Sequence, residues 1–287
     1  MARRPRLQYP GAIYHVMSRG NRKGPIFDDD EDRCLFLETL RRTVSRYDVR
    51  CYALCLMGNH YHLLLETPRG DLSEALRYLN GVYTQTSNRR HKRTGHVFEG
   101  RFRSIVIERE SYLRRTSRYI VLNPVRSGAV QNPSGWRWSS YCATAGLEPP
   151  PPFLHVDWID WVFGGATRQE AHLLYRLYVN DCLPETPPPE SSAMVIGTER
   201  FQRAVRTFLK ADDPERPLPR AFRTLARPGL SAIFAGAVKS RRERDRLIRH
   251  AHTVYGYRLA EIAAFLRLHP STATLAVRRL EAAEDEQ

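Results

Sequence analysis

The sequence predicts an α+β domain with an antiparallel sheet and flanking helices, followed by an all-helical domain. Three observations carry this prediction. Short apolar runs alternate with amphipathic stretches in the first half of the chain, and two neighbouring runs are joined tightly enough for a hairpin. The residues near 196–282 have only helical periodicity.

The first three strands are predicted as follows. The run AIYHVMSR at residues 12–19 is apolar and aromatic, as in a strand. An acidic start near Asp30 and apolar residues at helical spacing then predict a helix over residues 31–47. Strands follow at residues 49–56 and 60–67, and the short connection with a glycine between them indicates a hairpin.

The rest of the sheet domain repeats the pattern. Asp71 and Glu74 are spaced as in a capping box, so a second helix is predicted from there to about Ser87. A basic loop leads to a fourth strand at residues 101–107. A helix over residues 110–122 is closed by Asn123-Pro124. The order strand–helix–strand–strand–helix–strand–helix indicates an antiparallel, ferredoxin-like sheet with helices on one face.

Breaks in composition divide the chain into three predicted regions. The sheet domain occupies residues 1–148, and the Trp-rich segment SGWRWSSY is expected to pack its end. Residues 149–195 are a helical extension that ends in the Pro-rich linker PETPPPESSA. Residues 196–287 form the helical domain.

The charge favours nucleic acid as a partner. The 45 Lys and Arg residues outnumber 31 acidic ones, for a formal net charge of +14. Residues 1–150 hold 25 basic and 14 acidic residues (+11), residues 151–200 hold 3 and 7 (−4), and residues 201–287 hold 17 and 10 (+7). Because the planar arginine fork pairs with phosphate, two basic lobes suggest two nucleic-acid contacts. Solubility or a general affinity for polyanions is the alternative.

Two broad classes are disfavoured. The five cysteines are scattered without CxxC spacing, which is typical of reduced thiols in a cytosolic protein and not of a disulfide frame or zinc site. No apolar run reaches about 18 residues, so we expect no membrane span.

The most specific motif is His60-Tyr61-His62. Residues two apart in a strand point to the same face, so both imidazoles can reach one metal ion. Two surface or packed histidines are the alternative, and a third ligand is needed in any case. Tyr119 and Asn123 share a helical face, which makes Asn123 a candidate ligand and puts the Tyr119 hydroxyl near the ion. A core tyrosine and a helix-terminal asparagine are the bland alternative.

Four blocks in a fixed order then identify a family. AIYHVMSRGNR, LMGNHYHLLLETP, GHVFEGRFRS and RYIVLNPVRSG together resemble the IS200-like transposases, and within them the REP-associated tyrosine transposases of the HUH endonuclease superfamily. The likeness covers roughly residues 7–145. It implies metal ligands at His60, His62 and Asn123 and a nucleophile at Tyr119.

The resemblance also implies a chemistry and a target. Mg²⁺ or Mn²⁺ would polarise a phosphate of single-stranded DNA while the tyrosine attacks, leaving a 5′-phosphotyrosine and a free 3′-hydroxyl. Exchange of one phosphoester for another needs no nucleotide cofactor, in keeping with the lack of a Walker-type sequence. The implied substrates are hairpin-forming palindromic repeats, in a bacterial cytoplasmic, nucleoid-associated setting.

Basic residues around the fourth strand are the predicted DNA contacts, with a solvated charged loop as the alternative. They are Arg89, Arg90, Lys92, Arg93, Arg101 and Arg103.

The helical domain contains a predicted helix-turn-helix. GYRLAEIAAFLRLHPSTATLAVRRLE offers an apolar helical face, a short turn and a second helix opened by Pro270 or Ser271. It resembles the DNA-binding domain that ends the bacterial replication initiator DnaA, although a generic helical bundle is the alternative. The predicted groove-facing residues are Ser271, Thr272, Thr274 and Arg278.

Two function classes follow. The first is a metal-dependent single-strand nuclease and strand transferase, with flanking duplex bound by the helical domain. The second is a non-catalytic or domesticated DNA-binding regulator. The set His60, His62, Tyr119 and Asn123 favours the enzyme, because a pure binder does not need all four. No membrane partner is expected, and both a monomer and a homodimer stay open.

Overall fold

The computed structural model describes residues 7–181, 194–210, 230–234, 240–253, 257 and 259–285. The chain divides into two compact units, Met1–Thr198 and Glu199–Gln287. The predicted Pro-rich linker lies outside the described residues. No helix in the described ranges has the length and apolar character needed to cross a membrane.

The centre of the first unit is a sheet of the four predicted strands. They are β1 (Ala12–Arg19), β2 (Arg50–Leu56), β3 (His60–Thr67) and β4 (Arg103–Ile107). The spatial order is β2-β3-β1-β4, and all neighbours in it are antiparallel. With one helix after β1 and another after β3, this is the ferredoxin-like arrangement that the sequence predicted.

One part of the fold prediction was wrong, because the sheet is mixed. A fifth strand, β5 (Val195–Ile196), pairs with β4 in parallel. Its two residues are too few to give an alternating pattern, so no periodicity in the sequence could indicate it.

Two long helices cover one face of the sheet. In α1 (Asp30–Tyr47), the side chain of Asp29 caps the N-terminus by accepting from the Asp32 amide. In α2 (Leu72–Arg90), the predicted capping box is not formed: the Asp71 backbone carbonyl, and not its side chain, accepts from the Glu74 amide. Phe36 of α1 packs on Tyr61 of β3 at 4.9 Å between ring centroids, which places both helices on the Tyr61 face.

The opposite face is covered by the helices that follow β4. They are α3 (Arg109–Val121), α4 (Asn123–Arg126), α5 (Tyr141–Thr144), α6 (Trp158–Phe163) and α7 (Arg168–Asn180). Fully buried Trp158 and Tyr175 join Leu64 and Ile105 of the sheet in one core. Residues beyond 148 are therefore part of the hydrophobic core of this unit.

Both edges of the sheet are covered. At the β2 edge, the Leu56 amide donates to the Trp138 carbonyl at 2.8 Å, and the Trp136 indole donates to the Leu56 carbonyl, so the Trp-rich segment closes the domain as predicted. At the β4 edge lies β5, held by the Glu108 carboxylate, which accepts from the amide and hydroxyl of Thr198.

The described part of the second unit is helical. Its helices are α8 (Glu199–Lys210), α9 (Leu230–Ile233), α10 (Arg241–Thr253), α11 (Leu259–Phe265) and α12 (Pro270–Asp285). Ile262 and Ala263 of α11 are fully buried against Ala273 and Ala276 of α12. Arg267 takes a left-handed conformation (φ 53°) in the turn between them, and Pro270 opens α12 as predicted.

Candidate active site

The paired histidines lie at the start of the central strand β3. Strand alternation puts His60 and His62 on the face covered by α3, with ring centroids 5.1 Å apart. Tyr61 points to the other face, where it is fully buried and its hydroxyl donates to the Asn80 side chain at 2.8 Å. The intervening tyrosine therefore anchors the strand, and the histidines face the site.

Each histidine is oriented through its Nδ1 atom. Nδ1 of His60 lies 2.7 Å from Oδ1 of Asn59, and Nδ1 of His62 lies 2.9 Å from Nε2 of His15. Metal-binding histidines characteristically use one ring nitrogen for such a partner and the other for the ion. This arrangement leaves both Nε2 atoms for a metal.

His15 is a residue that the sequence reasoning did not single out. It lies on β1, is 2% exposed, and its ring stacks on His62 at 5.1 Å between centroids. Its signal in the sequence was a histidine within an apolar strand, which by itself is more often a packing residue. Only the pairing of β1 with β3 brings it to His62, 47 positions along the chain.

Burial keeps these imidazoles neutral. Burial lowers the pKa of His15 to about 3, and it holds the pKa of His62 well below the ordinary value of histidine. The pKa of His60 is lowered by burial and by the nearby charge of Arg19. Neutral imidazole is the form that binds a metal ion, so the cluster is in its ligand state at physiological pH.

Tyr119 projects from α3 into this cluster. Its ring is partly buried and lies 5.8 Å from His62 and 5.7 Å from His15, both edge-on. The structure thus brings the predicted nucleophile against His62, 57 positions away in the chain, and His62 lies beside His60.

Asn123 lies one turn beyond Tyr119. Its side-chain nitrogen donates to the carbonyls of Tyr119 and Ile120 at 2.9 and 3.3 Å. These bonds hold the amide nitrogen against the last turn of α3. As predicted, the helix closes before Asn123-Pro124, since α3 ends at Val121. A separate short helix, α4, begins with Asn123, because proline is tolerated in a first helical turn.

Among the described residues, a second group has metal-ligand chemistry. The ligand atoms of Asp28, Asp32 and His91 lie within 4.8 Å of one another. The negative charges of both carboxylates are already paired with arginines, since Arg90 contacts Asp32 at 2.9 Å and Arg93 contacts Asp28 at 2.7 Å. The group therefore acts as an ion-pair cluster that ties the end of α2 to the start of α1.

The predicted DNA contacts differ in their surroundings. Arg90 also pairs with Asp29 and Glu31, so its guanidinium is engaged by three carboxylates. The side chains of the other first-unit candidates are exposed; they are Arg89, Lys92, Arg93, Arg101 and Arg103. In the second unit Ser271 is exposed, Thr272 and Thr274 are partly buried, and the Arg278 side chain lies outside what the structure describes. Their contacts with DNA stay predictions.

The fold and the site agree with the family resemblance found in the sequence, which implied paired histidines and a tyrosine on a following helix. Residues 8–123 match the family model described as "Transposase IS200 like".

Two known proteins are similar to parts of this chain. A curated protein of Haemophilus influenzae, described as a putative REP-associated tyrosine transposase, is 28% identical over 117 residues. That match covers 37% of this chain and 66% of the relative, slightly under two thirds of its length. A solved structure of a REP-associated tyrosine transposase bound to a REP hairpin is 18% identical, with a TM-score of 0.45, and covers 55% of this chain and 91% of that one.

Proposed function

We propose that the first unit cleaves and rejoins single-stranded DNA through a covalent bond to Tyr119. The observation that supports this most directly is the position of the Tyr119 ring, whose centroid lies 5.8 Å from that of His62. The hydrogen bonds that orient His60 and His62 use Nδ1 of each ring, so Nε2 is left for a metal ion. The matched family model consists of transposases, which act on DNA.

The donor set fits a divalent metal. His60 and His62 supply two neutral imidazoles, and the amide oxygen of Asn123 is the third candidate ligand. When bound, Mg²⁺ or Mn²⁺ polarises the phosphate and offsets the charge that develops on it. The choice of these two ions rests on the family resemblance, since imidazole also accepts other divalent metals.

The chain's own groups account for the bond changes. The Tyr119 oxygen forms a bond to phosphorus and its proton passes to solvent, while the bond from phosphorus to the 3′-oxygen breaks and that oxygen takes up a proton. The products are a 5′-phosphotyrosine and a 3′-hydroxyl. Attack by a 3′-hydroxyl on the phosphotyrosine reverses the step, so rejoining needs no other energy source.

The second unit is proposed to bind duplex DNA next to the cleavage site. Exposed Ser271 lies at the start of α12, the second helix of the helix-turn-helix, which is where such helices contact base edges. Hairpin-forming repeats are the proposed substrate of the first unit. The setting proposed for this activity is the bacterial cytoplasm, in association with the nucleoid.

The test follows the covalent intermediate. A single-stranded hairpin substrate labelled at its 3′ end is incubated with the full chain and Mg²⁺ or Mn²⁺, and the products are separated under denaturing conditions. The label should move with the protein, because the tyrosine is joined to the 5′ end of the downstream fragment. Tyr119→Phe should abolish the adduct and change DNA affinity by no more than a few fold, since phosphate contacts dominate binding.

Tyr112→Phe is the matched control, because Tyr112 also lies on α3 and is partly buried. It should form the adduct at the normal rate. An adduct that persists in Tyr119→Phe would overturn the nucleophile assignment. Hairpin binding by the wild type without any adduct would favour a non-catalytic regulator.

A further inference from the structure

A cation lies over the proposed nucleophile. Cζ of Arg126, the last residue of α4, is 4.8 Å from the centroid of the Tyr119 ring, and the Arg126 side chain is exposed. The geometry has a local cause. Side chains on a helix point back towards its N-terminus, and the short helix after the break at Leu122 directs residue 126 back over Tyr119.

Tyr119 in turn lies against a proposed metal ligand, since its ring centroid is 5.8 Å from that of His62. The Arg126 guanidinium therefore lies over the ring that carries the proposed nucleophile, and that same ring contacts the histidine pair.

A reacting phosphate is stabilised by a positive charge like that of the Arg126 guanidinium. It must lie between the Tyr119 hydroxyl and the histidine pair, and its non-bridging oxygens carry negative charge throughout the displacement. An arginine keeps its charge over the working pH range and offers paired donors that match two phosphate oxygens. Because Arg126 is exposed, its guanidinium can turn from the ring face towards a phosphate.

We propose that Arg126 binds the non-bridging oxygens of the scissile phosphate and stabilises its charge while Tyr119 attacks. Arg126 donates hydrogen bonds and transfers no proton, so the bond changes of the reaction are unaltered. This inference rests on the proposed function. It assigns the recognition of the reacting phosphate to a residue outside the histidine, tyrosine and asparagine set.

Arg115 supplies a matched control. It is an exposed arginine of α3 whose Cζ lies 5.5 Å from the ring centroid of Tyr112, so it makes the same type of contact one helical turn before Tyr119. Arg115→Ala should leave the rate of adduct formation within about twofold of the wild type. Arg126→Ala should lower that rate at saturating hairpin DNA by about 10²- to 10³-fold, the usual effect of removing one donor to a reacting oxyanion. Its DNA affinity should change by only a few fold.

A substrate change separates phosphate recognition from a mere packing role. The hairpin is prepared with a methylphosphonate at the scissile position, as separated diastereomers, so that one charged oxygen becomes a methyl group. One of the two diastereomers lacks the charged oxygen that Arg126 is proposed to bind. If Arg126 acts on that charge, Arg126→Ala should form the adduct on this diastereomer less than about tenfold more slowly than the wild type does. Arg126→Lys should recover part of the rate on the native substrate, because it keeps the charge but not the fork.

An equal penalty from Arg126→Ala on the native and both modified substrates, with an unchanged melting temperature, would overturn the inference and assign Arg126 to positioning the ring. Cleavage of native DNA by Arg126→Ala at the wild-type rate would also overturn the inference. In both cases the wild type still forms its adduct, so the proposed function would stand. A wild type that forms no adduct would overturn both proposals.

Discussion

At the scale of single residues, the contact between His15 and His62 constrains where protons are held. For Nε2 of His62 to bind a metal, its proton must be on Nδ1 and donate to Nε2 of His15 at 2.9 Å. His15 must then carry its own proton on Nδ1, an atom that is buried and has no hydrogen-bond partner among the described residues. The contact thus selects the tautomers of two rings at once.

The metal assignment gives a prediction at this scale. His60→Ala and His62→Ala should each abolish Mn²⁺ binding by calorimetry and metal-dependent cleavage, since one imidazole and one amide do not hold the ion. Asn123→Ala should be milder, about tenfold in affinity, because water can take the place of an amide. His172→Ala, which alters a histidine of α7 bonded to the Thr144 carbonyl, is the control. Cleavage by the wild type that resists a chelator would contradict the metal mechanism.

The limits of sequence reasoning are clearest for these same residues. His60 and His62 could be paired from the sequence because both are on one strand and alternation is local. His15 could not, because its contact depends on the register that places His15 opposite Leu64 and Met17 opposite His62. Arg126 could not be singled out for a related reason: the short helix α4, which directs it over Tyr119, was not predicted.

At the scale of elements, one buried ion pair joins the histidine strand to the tyrosine helix. Glu66 near the end of β3 and Arg109 at the start of α3 are 1% and 5% exposed, and their charged groups are 2.6 Å apart. The Tyr52 hydroxyl also donates to Glu66. Since β3 carries His62 and α3 carries Tyr119, this pair sets the position of one element relative to the other.

We therefore predict that Glu66→Gln impairs cleavage more than metal binding. The change removes the negative charge that faces the buried Arg109 guanidinium, which costs stability. Any shift of α3 moves Tyr119, and a misplacement of about 1 Å lowers a rate by up to about 100-fold. Adduct formation should fall by about tenfold or more while the Mn²⁺ affinity of the histidines is retained. A proportional fall in both would contradict the positioning role.

Element prediction succeeded where the pattern is local. The bounds of β1 and β3 are those that the sequence predicts, because apolar runs and turn signals define them directly. The contribution of α6 and α7 to the core of the first unit was not predictable, because amphipathic periodicity does not tell which surface a helix covers. The same holds for β5, which is recognisable only from its pairing with β4.

At the scale of the whole molecule, the division after Thr198 predicts which truncated fragments of the chain fold and nick DNA. A fragment ending at residue 198 should nick single strands, because it keeps the sheet, the site and the core residues Trp158, Tyr175 and Ile196. A fragment ending at Glu148 lacks those core residues and should give no cooperative melting transition by circular dichroism. Nicking by a well-folded fragment of that length would contradict the core assignment.

The longer fragment also tests the second unit. Without the helix-turn-helix it should bind DNA more weakly, and log Kd should depend less steeply on log salt by about 0.7 to 0.9 for each phosphate that the fragment no longer neutralises. Its cleavage rate at saturating DNA should equal that of the full chain. Unchanged affinity and salt dependence would mean that the helices bind a protein partner or a second subunit instead of DNA.

The covered edges of the sheet bear on self-association. An edge strand with unpaired amides and carbonyls is a template for strand addition, from ordered dimers to fibrils. Here the backbone of the Trp-rich segment occupies part of the β2 edge, and β5 occupies part of the β4 edge. A homodimer of this protein should therefore form through side-chain surfaces and not through a continuous intermolecular sheet. Variants that detach β5, such as Glu108→Ala, should be prone to aggregate on heating.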